Sequence, residues 1–191
     1  MTEIECVDLG LSVKWATCNV GASFPEDYGD YYAWGETETK STYDQSTYKW
    51  CSNGSCTKYC TDRDYGKVDN KTVLDPEDDV AHVKWGGSWR MPTIAEQDEL
   101  REKCTWTWTT QNGTKGYKVT SKSNGNYIFL PAAGYRSGSS LYDAGTYGDY
   151  WSASLNESNP YYAWAVGFNS SKVSRCHYVR YCGRSVRPVC P

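Results

Sequence analysis

Aliphatic side chains are scarce in this chain. Leu, Ile, Val and Phe together supply 26 of 191 residues, with only 3 Phe and 2 Met. A deficit of that kind marks disorder when it accompanies high net charge. Here 20 Lys and Arg face 23 Asp and Glu, a net charge of −3, so the missing apolar area must come from another source. It comes from 9 Trp and 17 Tyr, each ring burying about 150–250 Å² while keeping a polar handle. No apolar run reaches about 18 residues, which excludes a transmembrane helix, and no membrane insertion is expected. The near-neutral balance argues against a nucleic-acid partner. The opening MTEIECVDLG has neither a basic nor an apolar leader region, so no signal peptide is expected in this chain. The length suits a single domain over residues 1–191, large enough to bury a core without staples.

Catalytic machinery is also sparse. There are 2 histidines, His82 and His177, and no G-x-S-x-G, H-E-x-x-H, P-loop or G-x-G-x-x-G pattern. His82 lies beside Val80 and Val83 and reads as structural. Cys176 and His177 are neighbours in a strand-like stretch, so they point to opposite faces and make a poor nucleophile–base pair. The acidic run Asp75–Asp79 opens a helix, where solvated charge opposing the macrodipole explains it better than a cation on Asp78 and Asp79. The chain is therefore read as no enzyme, with no catalytic residue, metal or cofactor.

Nine cysteines are an odd count, so at least one is free, intermolecular or a ligand. Cys51, Cys56 and Cys60 form C-x4-C-x3-C in a polar loop. A loop disulfide or plain thiols fit that spacing, and zinc would need a fourth ligand from elsewhere. Five N-x-[S/T] sequons, at Asn53, Asn70, Asn112, Asn156 and Asn169, suggest exposed polar turns.

Two helices are predicted. Asp75 as N-cap and Pro76 at the first position open one that ends near Trp85, before Gly86-Gly87. Thr93 and Glu96 form a capping box for the second, which runs to about Cys104 with Glu99 and Lys103 as an i,i+4 pair. The rest reads as short strands: Leu11–Ala16, Tyr31–Trp34, and a hairpin of Gly116–Thr120 with Asn126–Leu130. Trp164, Val166 and Phe168 alternate with Ala163, Ala165 and Gly167, giving a large and a small face. After a turn at Asn169–Lys172, Val173–Cys182 is strand-like with no clean apolar face, which suits a recognition surface. The fold class expected is α+β, two helices packed on small antiparallel β-sheets.

Several stretches resemble a known family when taken together: Val7–Glu36, WGGSWRMPTIAEQDEL at Trp85–Leu100, IFLPAAGYRSGSSL at Ile128–Leu141, GDYWSASL at Gly148–Leu155 and GRSVRPV at Gly183–Val189. The pattern resembles the Fibrobacter succinogenes major paralogous domain, common in gut Bacteroidetes. The resemblance implies a C-type-lectin-like fold related to the formylglycine-generating-enzyme fold. It also implies structural roles for Arg90, Arg184 and Arg187, and an extracellular, cell-surface or phage-particle setting.

A narrower resemblance covers Asn156–Arg184, which is similar to the variable region of a diversity-generating retroelement protein. In such systems adenines of a template repeat are copied with errors, so Asn codons yield Tyr, Ser, His, Arg, Cys, Gly or Asp. SRCHYVRYCGR is drawn largely from that set.

The expected function is thus a non-enzymatic ligand-binding module, an adhesin or receptor-binding domain with a diversified aromatic and polar surface. Its candidate contacts are Tyr161, Tyr162, Trp164, Arg175, His177, Tyr178, Arg180 and Tyr181, joined by Tyr142, Asp143 and Tyr147 of the preceding loop. Tyr and Trp supply rigid contact area and Arg and His supply directed hydrogen bonds to a protein or glycan. On this reading, alanine at Tyr178 and Arg180 weakens binding and leaves the melting temperature nearly unchanged. Three alternatives stand beside it. One is an invariant surface or structural domain. A second is a carbohydrate binder, although Ser158-Asn159-Pro160 replaces the calcium-lectin signature. The third is a formylglycine-generating-type oxidase, for which Cys176 and Cys182 are present without the surrounding motif.

Overall fold

The computed structural model describes residues 4–191. In chain order its elements are β1 (Cys6–Val7), β2 (Lys14–Ala16), β3 (Cys51–Ser52), β4 (Ser55–Cys56), α1 (Val80–Trp85), α2 (Ile94–Lys103), β5 (Cys104–Gln111), β6 (Thr114–Ser121), β7 (Tyr127–Pro131), β8 (Tyr135–Ser137), β9 (Ser140–Tyr142), β10 (Gly148–Leu155), β11 (Tyr162–Asn169), β12 (Lys172–Val179) and β13 (Val189–Cys190). The strands form five small sheets, ordered β1-β2-β13, β10-β11-β12, β5-β6-β7, β3-β4 and β8-β9, and every strand pair is antiparallel.

This corrects the expected α+β, C-type-lectin-like arrangement. The protein is β-rich, and its two α-helices have 6 and 10 residues. One of the two capping signals behind that expectation forms as read, but a cap marks where a helix starts and says nothing of its length. At α2 the box forms as read: Thr93 Oγ1 accepts from the Glu96 N–H at 3.2 Å and Glu96 Oε2 from the Thr93 N–H at 2.9 Å. Before α1, Asp75 makes no side-chain cap and Pro76–Asp78 form only a 3-10 turn. The working N-cap is Asp79, whose Oδ1 accepts from Ala81 and His82.

The Asn-Gly pairs act where hairpins need them. Asn112 and Gly113 have φ of 45° and 83°, the left-handed pair a two-residue hairpin turn requires, and they join β5 to β6 at Gln111↔Thr114. Asn53 and Gly54 do the same between β3 and β4. The expected strand at Leu11–Ala16 shortens to β2. Tyr31–Trp34 is not a strand and makes one bridge, Tyr32 with Arg184. β5 was not anticipated, although its Thr-Trp-Thr-Trp-Thr-Thr is a β-branched and aromatic run.

The β10-β11-β12 sheet divides the core. All eight residues of β10 are buried. On one face Tyr150, Val166 and Phe168 join Trp15, Leu100, Tyr117, Val119 and Leu130. On the other Trp151, Ala153, Leu155, Ala163 and Ala165 join Trp34, Tyr59, Leu74, Val80 and Met91. The buried indoles find acceptors in facing segments: Trp34 Nε1 donates to Ser152 O and Trp151 Nε1 to Tyr32 O, both at 2.8 Å. Arg187 is fully buried, its guanidinium donating to Asn19 Oδ1, Ala16 O and Phe129 O. Arg184 pairs with Asp149 at 2.7 Å, both nearly buried. These two arginines are structural, and Arg90 bonds both oxygens of Glu96 at the start of α2.

Cys51 and Cys56 are disulfide-bonded across the β3–β4 hairpin, while Cys60 is buried and free. Closing so short a loop restricts the unfolded chain by about 2 kcal/mol. Reduction, or Cys51→Ser with Cys56→Ser, is expected to lower the melting temperature by about 4–8 °C. Thermal scans with and without dithiothreitol measure it, and coincident curves would show that the bond contributes nothing.

Candidate functional site

The β11–β12 hairpin holds most of the candidate side chains, and its register decides which can act together. Tyr162 faces Val179, Trp164 faces His177 and Val166 faces Arg175. Directly opposed residues share a face, so Tyr162, Trp164, His177 and Arg175 lie on the side whose other end is sealed by Val166 and Phe168. The Trp164 and His177 rings stack at 5.3 Å and 22°, and Tyr162 lies 5.1 Å from His177. The Arg175 guanidinium sits 4.2 Å over the Trp164 ring and pairs with Asp98 of α2 at 3.1 Å. Asn156 Nδ2 lies 2.6 Å from His177 Nδ1. With the amide donating, Nδ1 accepts and the proton of the neutral ring sits on Nε2.

A second group adjoins this ladder through Tyr162. Tyr161 packs edge-on against Tyr65 at 4.8 Å and donates its hydroxyl to Gly54 O. A cavity of about 120 Å³ lies between the hairpin and the Gln45–Cys51 segment, lined by Tyr48, Tyr161, Tyr162, Val179 and Tyr181 among others. Tyr48 closes its floor, its hydroxyl bonded to Trp34 O. Burial pushes the Tyr48 phenol up to about 12, against the pull of Arg180. The arrangement gathers half-exposed aromatic area edged with amide, imidazole and guanidinium groups.

Arg180 contributes to the wall of that cavity, but its side chain is committed to structural contacts. Its residue exposure is 1 %, and the guanidinium donates to Tyr48 Oη at 3.2 Å, Tyr59 O at 2.9 Å, Pro160 O at 2.7 Å and Lys58 O at 2.9 Å. It ties the segment around residues 48–60, which carries only the short β3–β4 hairpin, to the end of the β11–β12 hairpin. Tyr178 also turns away. It faces Ala163, on the side opposite Trp164, and donates its hydroxyl to Asp149 Oδ1 at 2.7 Å, while the Arg184 guanidinium lies 3.6 Å over its ring. Gly167 makes room for this contact, since a Cβ there would meet the Tyr178 hydroxyl at 2.5 Å. Burial, with Asp149 beside it, holds the Tyr178 phenol well above the usual range. Alanine at Tyr178 or Arg180 therefore removes structural contacts, and the expectation of an unchanged melting temperature is withdrawn.

Tyr142 and Tyr147 are exposed and Asp143 takes a left-handed φ of 58°. Tyr142 stacks on Tyr135 at 5.6 Å, Tyr135 lies 4.9 Å from the Arg184 guanidinium, and Arg184 covers Tyr178. Tyr142 of this loop thus connects to the Tyr178 side of the sheet. The candidates form two groups on opposite faces rather than one surface.

Sequence reading missed Asn156, Tyr48, Tyr65 and Asp98. The sequence places Asn156 in a sequon, expected to be an exposed turn, and at the start of the variable-region resemblance. Its residue exposure is 4 %, so it is no exposed acceptor. The acidic run is also not a solvated face. Asp78 is buried and accepts from Lys58 Nζ and Tyr59 Oη, each at 2.6 Å. Lys58 Nζ also lies 2.8 Å from Asp75 and 3.6 Å from Glu77, so an ammonium already occupies the centre of that cluster. Asp79 accepts three backbone N–H groups, from Ala81, His82 and Met91, and burial raises its carboxyl.

A family model described as a domain of unknown function (DUF8237) matches residues 104–189, from the start of β5 into β13. No curated protein and no solved structure matches the chain.

Proposed function

We propose that this protein is a non-enzymatic recognition domain, an adhesin or receptor-binding module. Its contact surface is Tyr161, Tyr162, Trp164, Arg175, His177 and Tyr181, and diversity-generating retroelement copying varies it. The observation that carries the reading is the contrast within one hairpin. Ala163, Ala165, Gly167 and Arg180 are buried and fix the backbone. Arg175 and His177 are exposed, and Tyr161, Tyr162, Trp164 and Tyr181 are partly so. Aromatic rings with few rotatable bonds lose little entropy on contact, and Arg and His add direction. The Cys51–Cys56 disulfide suits an oxidising, extracellular setting.

Sequencing the gene and its flanks across a natural population tests the diversification. Changes should concentrate at adenine positions of codons 161, 162, 164, 175, 177 and 181, with a template repeat beside a reverse-transcriptase gene, and should spare codons 163, 165 and 180. An invariant hairpin without a template would sink the retroelement reading. For recognition itself, ligands selected against the protein should bind Trp164→Ala at least 10-fold more weakly at an unchanged melting temperature. Equal affinity would remove Trp164 from the surface.

A further inference from the structure

β12 is an edge strand, and the direction of its free backbone groups follows from its register. The Arg180 N–H bonds to Tyr161 O, so residues 161 and 180 form a hydrogen-bonded pair. Such pairs alternate along an antiparallel ladder. Tyr178, Cys176 and Ser174 therefore exchange bonds with Ala163, Ala165 and Gly167, while Val179, His177, Arg175 and Val173 turn theirs outward. Among the described residues, the outward N–H and C=O groups of Val173, Arg175 and His177 bond to nothing, and neither does the N–H of Val179; Val179 O alone accepts, from Cys182. Proteins usually blunt such an edge with proline, a bulge, short length or charged side chains, and of these β12 has only the charges of Lys172 and Arg175. β12 runs for 8 residues with no proline and no register shift against β11.

Charge says what the edge fits. From Ser158 to Pro191 the chain has no Asp or Glu; of its five basic residues Arg180, Arg184 and Arg187 are buried, which leaves Lys172 and Arg175, the latter paired with Asp98, as the charge at the edge. Lys172 is exposed, and the Arg175 side chain is 41 % exposed. A second copy would bring the same basic edge against itself, and like charges across a strand pair are destabilising.

We propose that β12 captures an extended, acidic segment of a partner protein as a fourth strand of the β10-β11-β12 sheet. Main-chain bonds to Val173, Arg175, His177 and Val179 hold the segment. Its alternate side chains meet Arg175 and His177 on one face and Cys176 and Tyr178 on the other. The inference deepens the recognition reading above and rests on it, naming the ligand class as an extended protein segment rather than a glycan.

The test uses the full chain and a capped octapeptide alternating Glu with Thr, titrated by NMR. The expected result is that amide signals of residues 173, 175, 177 and 179 shift and their hydrogen exchange slows. Two versions of the peptide, N-methylated at either set of alternate amides, separate the registers; the one whose blocked groups face β12 should bind at least 10-fold more weakly. The Lys-for-Glu peptide should bind as weakly. Val173→Pro deletes an outward N–H without touching the inward ladder and should also weaken binding, whereas Val173→Ala, a control for lost packing, should bind as wild type does. If Val173→Pro fails to fold, the methylated peptides on the wild-type chain still decide.

Equal binding of both N-methylated peptides, no amide shift at millimolar peptide, or concentration-dependent pairing of β12 with a second copy would each overturn the proposal. Selected ligands that lose affinity with Trp164→Ala but bind Val173→Pro normally would overturn the edge and keep the surface. The reverse pattern would keep the edge and overturn the surface.

Discussion

Arg180→Ala is expected to lower the melting temperature by about 10 °C. The guanidinium occupies a site with 1 % residue exposure and serves the carbonyls of Lys58, Tyr59 and Pro160 together with the Tyr48 hydroxyl. Truncation leaves those acceptors without a donor and opens a cavity against Trp34, whose ring lies 4.9 Å from the guanidinium carbon. An orphaned buried polar group costs about 1–3 kcal/mol and a cavity adds to it, for a loss of about 3–5 kcal/mol. At about 2–4 °C per kcal/mol for a chain of this size, that brackets the stated shift. Arg180→Lys should recover little, because one ammonium cannot reach four acceptors spread over three segments. Arg175→Ala is the control: its pair with Asp98 is exposed enough to contribute about 0–1 kcal/mol, so its melting curve should move by no more than about 4 °C. Differential scanning calorimetry on the three variants makes the comparison. Wild-type stability in Arg180→Ala would return that residue to the list of contact candidates.

Arg184→Met should produce a protein whose stability depends steeply on pH. Burial raises the Asp149 carboxyl, and Arg184, at 2.7 Å, is the main influence opposing it. Without the guanidinium the carboxylate is buried with only the Tyr178 hydroxyl for support, and breaking a buried pair in this way costs about 3–5 kcal/mol at neutral pH. The sign follows from linkage. A carboxyl raised in the folded state is stabilising when protonated, fully so below its unfolded value of about 4, and that contribution is lost as pH rises through the raised folded value. The variant should therefore be weakest near pH 8 and regain stability as pH falls toward 5. Asp149→Asn in the same chain should remove most of the pH dependence and restore stability at neutral pH. Urea unfolding at pH 5, 6.5 and 8 reads this directly, and parallel losses at all three would show that Asp149 is not the group responsible.

What was legible in the sequence was local. Thr93 with Glu96 placed the start of α2, Asn112-Gly113 and Asn53-Gly54 placed turns, and the alternation from Ala163 to Phe168 placed β11. Each is a short-range signal whose physics lies within a few residues. The misreadings share another cause. In Val173–Cys182 the period of two separated Arg175 and His177 from Tyr178 and Arg180, but period alone cannot tell which set is covered. The cover for Arg180 comes from Lys58 and Tyr59, more than a hundred residues earlier in a segment without long strands, and no pattern in that segment announces it. The fold class failed for a related reason. Cap signals at Asp75 and Thr93 promised helices, yet most of the sheet area comes from Trp- and Tyr-rich strands whose faces carry too few aliphatic residues to stand out by hydropathy.

The strict two-residue alternation of the β11–β12 hairpin also restricts how it can change. Substituting Arg175 or His177 alters what the surface presents and leaves the ladder in place. Inserting or deleting one residue in β12 would invert every side chain beyond it, turning Tyr178 and Cys176 outward and forcing Arg175 and His177 beneath the sheet. Arg180, displaced by one position, would lose its carbonyl acceptors. The hairpin is thus open in spelling and closed in length, and a repertoire built on it must arise by base replacement within a fixed reading frame.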